Sequence, residues 1–235
     1  MWRTVFAAVL ASVALPALAQ DATTKLLLAK INQQEPPPAI AAIMPELLSR
    51  SQTAARAEKR CVPNAITIDP LAPATASEDA FSQIKTGKVL NVWSTYARAV
   101  GCVGALPEHF LIVRLQDKSL RFVGVNAGMT LTSFAQMKSV AQSIGDAALV
   151  AATKVDAKCT AEGLDIASTR IVAELPGLGP DFYGVRVQGQ WDEAWTIRAC
   201  ARLVVVPVRF TADGRGGVAA KIDTVAIKVG KPVKG

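Results

Sequence analysis

A chain of 235 residues, 51% hydrophobic and 19% charged with a formal net charge of +7, can bury a substantial core and is too apolar to remain disordered. One histidine and four cysteines with no C-x-x-C pair exclude zinc sites of the usual spacing, and neither a metal nor a cofactor is expected. The basic residues are mixed with acidic ones and lack aromatic interleaving, which argues against nucleic acid as the partner.

The chain opens on Arg3, an apolar run from Val5 to Leu15, Pro16 and the triplet Ala17-Leu18-Ala19. This pattern reads as a secretory signal peptide over residues 1–19, with Gln20 starting the mature chain. The run is short of the roughly 20 apolar residues of a membrane span, and no later stretch qualifies, so no transmembrane segment is expected after cleavage. The expected location is periplasmic or secreted. In such a compartment an even set of cysteines, Cys61, Cys102, Cys159 and Cys200, predicts two disulfides.

Residues 20–43 read as an N-terminal segment with a short helix carrying Leu27, Leu28 and Ile31, followed by an extended spacer at Pro36 to Pro38. A first α+β unit is expected over 44–130. Its helix begins near Pro45, a residue suited to the first helical position, and carries Leu47, Leu48, Ala54 and Ala55 towards Cys61. A loop with a helical turn at "SEDAFSQIK" follows, then a strand "KVLNVWSTYARAVGC" and a hairpin of "FLIVRL" and "LRFVGVN".

A second unit is expected over 131–230, with 231–235 as a basic tail. From Thr132, read as the N-cap, the apolar positions Phe134, Met137, Ala141, Ile144, Ala148, Ala151 and Val155 predict a long amphipathic helix to about residue 158. Strands follow at "LDIASTRIVAEL", "FYGVRVQGQWDEAWTIRAC", "RLVVVPVRF" and "VAAKIDTVAIKV", the last two joined at Asp213-Gly214. Pro207 lacks an N–H and is expected at an edge or bulge. The predicted class is α+β: antiparallel sheets packed with one long amphipathic helix.

Shifting the chain by 98 positions superimposes Cys61, Trp93 and Cys102 on Cys159, Trp191 and Cys200. Each half then reads helix, cysteine, extended segment, tryptophan strand, cysteine and further strands, as an internal duplication would. Of the three pairings open to four cysteines, Cys61 with Cys102 and Cys159 with Cys200 is favoured because it ties each helix end to its own sheet.

Catalytic motifs are sparse, and no catalytic residue is assigned. Ser82-x-x-Lys85 and Lys85-Thr86-Gly87 resemble penicillin-recognising signatures, but one lysine cannot occupy both a helix and a facing strand. His109 is the only histidine for a triad, and no G-x-S-x-G elbow supplies its serine. On the strand "QWDEAWTIRAC", Trp191, Glu193 and Trp195 share one face. They form either a core face, with Glu193 paired to Arg209 on the next strand, or a sugar-stacking platform. The candidate ligand-binding set is therefore Trp191, Glu193, Trp195 and Arg209.

The run from Glu193 to Cys200, with Pro207 to Phe210 and Asp213 to Gly217, resembles the C-terminal strands of uncharacterised signal-peptide-bearing proteins of proteobacteria. In that pattern a glycine follows the cysteine, whereas this chain has Ala201. The resemblance implies an envelope location and a disulfide-bonded α+β fold, and brings no activity with it. The functional expectation is a non-enzymatic binding or interaction module of the envelope whose partner is an envelope glycan or another envelope protein. The alternatives are a small hydrolase with an unrecognised site and a carbohydrate binder using Trp191 and Trp195.

Overall fold

The computed structural model describes residues 22–232; the expected signal peptide and the end of the basic tail lie outside them. In chain order the elements are α1 (Ala22–Gln34), α2 (Ile40–Ala57), β1 (Ala65–Ile68), β2 (Ala72–Pro73), α3 (Glu78–Lys85), β3 (Val89–Val100), β4 (Glu108–Leu115) and β5 (Leu120–Ala127). They continue as α4 (Phe134–Thr153), β6 (Asp165–Glu174), β7 (Asp181–Phe182), β8 (Val185–Arg186), β9 (Gln190–Ala199), β10 (Arg202–Ala212), β11 (Val218–Ile222) and β12 (Lys228–Pro232). The class is α+β with antiparallel sheets, but the expected single long helix is replaced by four helices among the described residues, and two five-stranded sheets dominate.

The first sheet has the order β1-β3-β4-β5, with β2 extending the β1 edge along β3. The second runs β6-β9-β10-β11, with β12 extending the β11 edge along β10. In each, the strand after the helix pairs with the tryptophan strand, which pairs with the next strand, and that strand with the one following. One face of the first sheet packs Trp93, Ala97, Phe110 and Ile112 with Ile43 and Leu47 of α2. The corresponding face of the second packs Trp191, Trp195, Ile197, Val206 and Phe210 with Met137, Val140, Ile144 and Ala148 of α4. Disulfides Cys61–Cys102 and Cys159–Cys200, each 41 residues apart, join each helix end to its own sheet in the favoured pairing.

Three local expectations are corrected. Helix α2 begins at Ile40 and takes Pro45 inside it. The longer helix fully buries Ile43, worth about 1.5–3 kcal/mol, the same order as the roughly 3 kcal/mol an interior proline costs; Ala41, whose carbonyl loses its N–H partner, is exposed to water. Helix α4 is capped by Ser133 and not Thr132: the Ser133 hydroxyl accepts from the Gln136 N–H and the Gln136 side chain accepts from the Ser133 N–H, a capping box. It ends at Thr153, because the Asp156 carboxylate accepts the Lys158 N–H and the chain must turn to bring Cys159 to Cys200.

The expected strand "VAAKIDTVAIKV" is two strands, β11 and β12, separated where Asp223 accepts from the N–H groups of Val225 and Ala226. Pro207 accordingly sits in the central strand β10, contrary to the edge expectation. It lies in the gap between the partners β12, paired up to Val205, and β11, paired from Val208, so its missing N–H falls where that edge is interrupted. The N-terminal segment docks on the first sheet: Leu28 is buried, Asn91 donates to the Asn32 side chain and the Glu35 carbonyl, and Glu35 pairs with Arg114 and Lys118.

The turn from β9 to β10 has two residues, Cys200 and Ala201, with φ of 49° and 57°. That mirror-image hairpin turn matches strand twist but places an alanine in the left-handed region, which disfavours residues carrying a Cβ. Ala201→Gly is expected to stabilise the protein by about 0.5–1 kcal/mol, read as a higher urea midpoint at unchanged slope; a lower midpoint would contradict this turn.

Candidate functional site

Strand β9 alternates as expected, and its inward face is core. Trp191 and Trp195 are 0% exposed and Glu193 1%, so no sugar has access to either indole face in this conformation. The two rings instead turn their Nε1–H groups onto the carboxylate, Trp191 at 3.0 Å and Trp195 at 2.8 Å. Glu193 also accepts from the Thr130 hydroxyl at 2.9 Å, the Leu131 N–H at 2.8 Å and the Thr132 hydroxyl at 3.0 Å. A buried carboxylate is tolerated only when hydrogen-bonded in this way. It fastens the connection between β5 and α4 to the core of the second sheet.

The expected Glu193–Arg209 pair is not formed. Val208 lies opposite Glu193, and Arg209 lies opposite Asp192 on the outer face, where its guanidinium makes two hydrogen bonds of 2.7 and 2.9 Å to that carboxylate. Any two-residue turn here sets odd-numbered residues of β9 opposite even-numbered residues of β10, so Glu193 and Arg209 fall on opposite faces of the sheet. The Arg209 guanidinium holds the Asp192 carboxyl below the usual carboxylate range.

A different constellation lies on the first sheet. A cavity of about 170 Å3 is bounded by the face of the first sheet that α2 does not cover, by the loop entering α4 and by the β7–β8 hairpin. Ser94 and Tyr96 of β3, His109 of β4, Ser133 at the start of α4, and Asp181 and Arg186 of the hairpin supply its polar lining; Leu111, Leu131 and Phe134 supply apolar walls. Ser94 is half-buried, and its Oγ lies 2.8 Å from His109 Nε2. On the far side of the imidazole, Nδ1 is 3.3 Å from Asn126 Oδ1.

Asn126 is itself fixed, its amide donating to the Ala127 carbonyl and to Thr169 Oγ1 of the second sheet. With both amide hydrogens so engaged, Oδ1 must accept from His109 Nδ1–H. Nε2 therefore carries the lone pair and accepts the Ser94 hydroxyl proton. Tyr96 stacks on the imidazole at 4.7 Å between ring centres, and its hydroxyl donates to the Thr130 carbonyl.

Two features of the backbone create this alignment. A bulge at Val125 shifts the β4–β5 register so that His109 faces Asn126 while Phe110 faces Gly124. At the junction of the sheets Gly128, with φ of 86°, bridges Thr169, and a Cβ there would lie 1.9 Å from the Thr169 carbonyl oxygen. Only glycine permits that approach. Sequence reasoning singled out His109 and missed Ser94 and Asn126, because no local motif links the three.

Burial pushes His109 down from 6.5 to about 4, with the Asn126 hydrogen bond opposing. Burial also raises the Asp181 carboxyl and the Tyr96 phenol. The unfolded chain protonates His109 near pH 6.5 while the folded protein withholds the proton until about pH 4. Stability therefore falls as the pH drops through that window, by up to roughly 3 kcal/mol, and this residue contributes no pH dependence above it. Urea midpoints at pH 7 and 4.5 should diverge more for the wild type than for His109→Gln; equal divergence would show that His109 titrates normally.

A larger depression is a groove of about 560 Å3 between α2 and β5–β6. Its charged groups are largely satisfied by one another, Arg50 by Glu46 and Arg60 by Glu58 and Glu108. Among the described residues no cluster of three or more histidine, cysteine or carboxylate side chains could hold a metal, and no helix is long and apolar enough to cross a membrane.

Fold and site together define a disulfide-bonded α+β protein with two sheets of like order, the first of which carries a cavity bounded by the loop entering α4 and the β7–β8 hairpin. No protein family, curated protein or solved structure matches the chain, so that class rests on its own geometry.

Proposed function

We propose that this chain is an exported protein of the bacterial envelope that binds a small polar molecule in the cavity between its first sheet, the loop entering α4 and the β7–β8 hairpin. The observation that carries the reading is the convergence there of Ser94, Tyr96, Ser133, Asp181 and Arg186, side chains from both halves of the chain, on a space of about 170 Å3. Convergent polar groups beside apolar walls are how proteins orient small ligands. Two disulfides accord with an oxidising compartment, and the resemblance of the C-terminal strands to signal-peptide-bearing proteobacterial proteins supports the envelope.

The carbohydrate reading based on Trp191 and Trp195 draws no support from two fully buried indoles. The common strand order, the placement of Trp93 and Trp191 against their helices and the equal disulfide spans support descent of the two halves by duplication.

The test is a titration with acetate, N-acetylglucosamine and D-alanine at millimolar concentrations, followed by amide NMR. Shifts at Ser94, Ser133 and Arg186 that weaken in Arg186→Ala support the proposal. Unmoved cavity resonances across the panel, or shifts confined to the outer surfaces, overturn it.

A further inference from the structure

We propose that the cavity is an acyl-transfer site, in which Ser94 is the nucleophile and His109 the general base for hydrolysis of short-chain acyl esters, with Asn126 as a positioning residue. This inference rests on the reading of the cavity as a ligand site and adds chemistry to it.

Three observations carry it independently of any motif. The Ser94 hydroxyl reaches both the cavity and, at 2.8 Å, His109 Nε2. The hydrogen bonds of the Asn126 amide set the imidazole tautomer in which Nε2 is the acceptor. The bulge at Val125 aims Asn126 at the ring, as bulges beside reacting groups do. A serine, a base within hydrogen-bond reach and a third group orienting that base form the arrangement that activates a hydroxyl nucleophile, and it is recognised by geometry, not by sequence order.

In the first step the Ser94 oxygen bonds to the ester carbonyl carbon as its proton passes to His109 Nε2. The carbon–oxygen bond to the leaving group then breaks, and His109 returns the proton to the departing alkoxide, releasing an alcohol. In the second step water attacks the acyl-serine ester and gives a proton to His109. The acid departs, and Ser94 recovers its proton from the imidazole. The sum is ester plus water to acid plus alcohol, with no oxidant or cofactor.

The size of the cavity limits the acyl group to a few carbons, with Leu111, Leu131 and Phe134 as apolar walls. Asn126 is neutral and stabilises an imidazolium less than a carboxylate does, so turnover is expected to be slow and covalent capture is the sharper readout.

The experiment is labelling of the full mature chain with diisopropyl fluorophosphate, in which the serine oxygen displaces fluoride from phosphorus and the proton leaves through His109. The site is located by fragmentation of the tryptic peptide covering residues 89–98. Expected are an adduct on Ser94, its loss in Ser94→Ala, and labelling slowed about a hundredfold in folded His109→Gln, the scale of a positioned general base. Asn126→Asp should move the acid limb of the labelling profile to higher pH, since a carboxylate at Nδ1 favours the protonated ring; a purely structural role for Asn126 would leave that limb in place.

Hydrolysis of p-nitrophenyl acetate by the wild type and not by Ser94→Ala would support the same conclusion. Absence of a Ser94 adduct, or equal labelling of His109→Gln, overturns the chemistry. The NMR titration is scored separately: cavity shifts without an adduct sink the acyl-transfer inference and leave ligand binding standing, whereas unmoved cavity resonances sink the binding proposal.

Discussion

Glu193→Ala should cost about 3–5 kcal/mol, the scale of breaking a buried, fully hydrogen-bonded carboxylate site. The carboxylate accepts from two indole N–H groups, two threonine hydroxyls and the Leu131 N–H, and is 1% exposed. Removing it deletes several charge-assisted bonds at once and leaves buried donors that water cannot readily reach. Glu193→Gln keeps the volume but turns an amide N–H2 towards groups that are themselves donors, so it should recover only part of the loss. Urea denaturation followed by tryptophan fluorescence is suited to the measurement, because Trp191 and Trp195 report the site directly. A loss below 1 kcal/mol for the alanine variant would mean that the connection from Gly128 to Ser133 is held by other contacts.

That connection also bounds the cavity, so the two features are physically coupled. Thr130, Leu131 and Thr132 contact Glu193 and line the space into which Ser94 opens. Strand β9 thus acts from the core, by fixing one wall of a cavity whose Ser94 and His109 belong to the other sheet.

The second large effect is expected from the disulfides. Cys159 and Cys200 close a loop across 41 residues, and the loop-entropy estimate for that length is about 4 kcal/mol. The double variant Cys159→Ala with Cys200→Ala should lose about 2–4 kcal/mol, because strain and residual structure in the unfolded chain reduce the ideal value. The corresponding change at Cys61 and Cys102, also 41 residues apart, should cost a similar amount. Equilibrium denaturation of the two variants side by side checks both, and a loss under 1 kcal/mol for either would show that its helix end is held by packing alone.

Much of the framework was legible in the sequence because it rests on local or additive signals. Runs rich in β-branched, aromatic and other apolar residues mark β3, β4, β6, β9 and β10, since such side chains suit the pleated surface of a strand. The repeat of Cys61, Trp93 and Cys102 at a spacing of 98 foreshadowed the pairing of the disulfides and the shared strand order. Boundaries were less legible where two local signals competed. Pro45 reads as a helix start until the burial of Ile43 is counted, and Thr132 reads as a cap until Glu193 claims its hydroxyl.

The candidate site was scarcely legible at all. Along the chain Ser94, His109 and Asn126 belong to separate strands, and a regular hairpin continued from the pairing of Arg114 with Leu120 would set His109 opposite Val125. The single extra residue of the bulge brings Asn126 to the imidazole instead, and the two-residue turn between β9 and β10 gives Arg209 to Asp192 and leaves Glu193 to the threonines.

By itself, then, the sequence determined the α+β class and the longer strands and favoured the observed pairing of its cysteines, because apolar runs and the matched cysteine and tryptophan spacing can be read along the chain. Only the tertiary structure decided which polar side chains meet. Their meeting depends on cross-strand register, which the run of residues along one strand does not specify until bulges, turns and the packing of each sheet on its helix fix it.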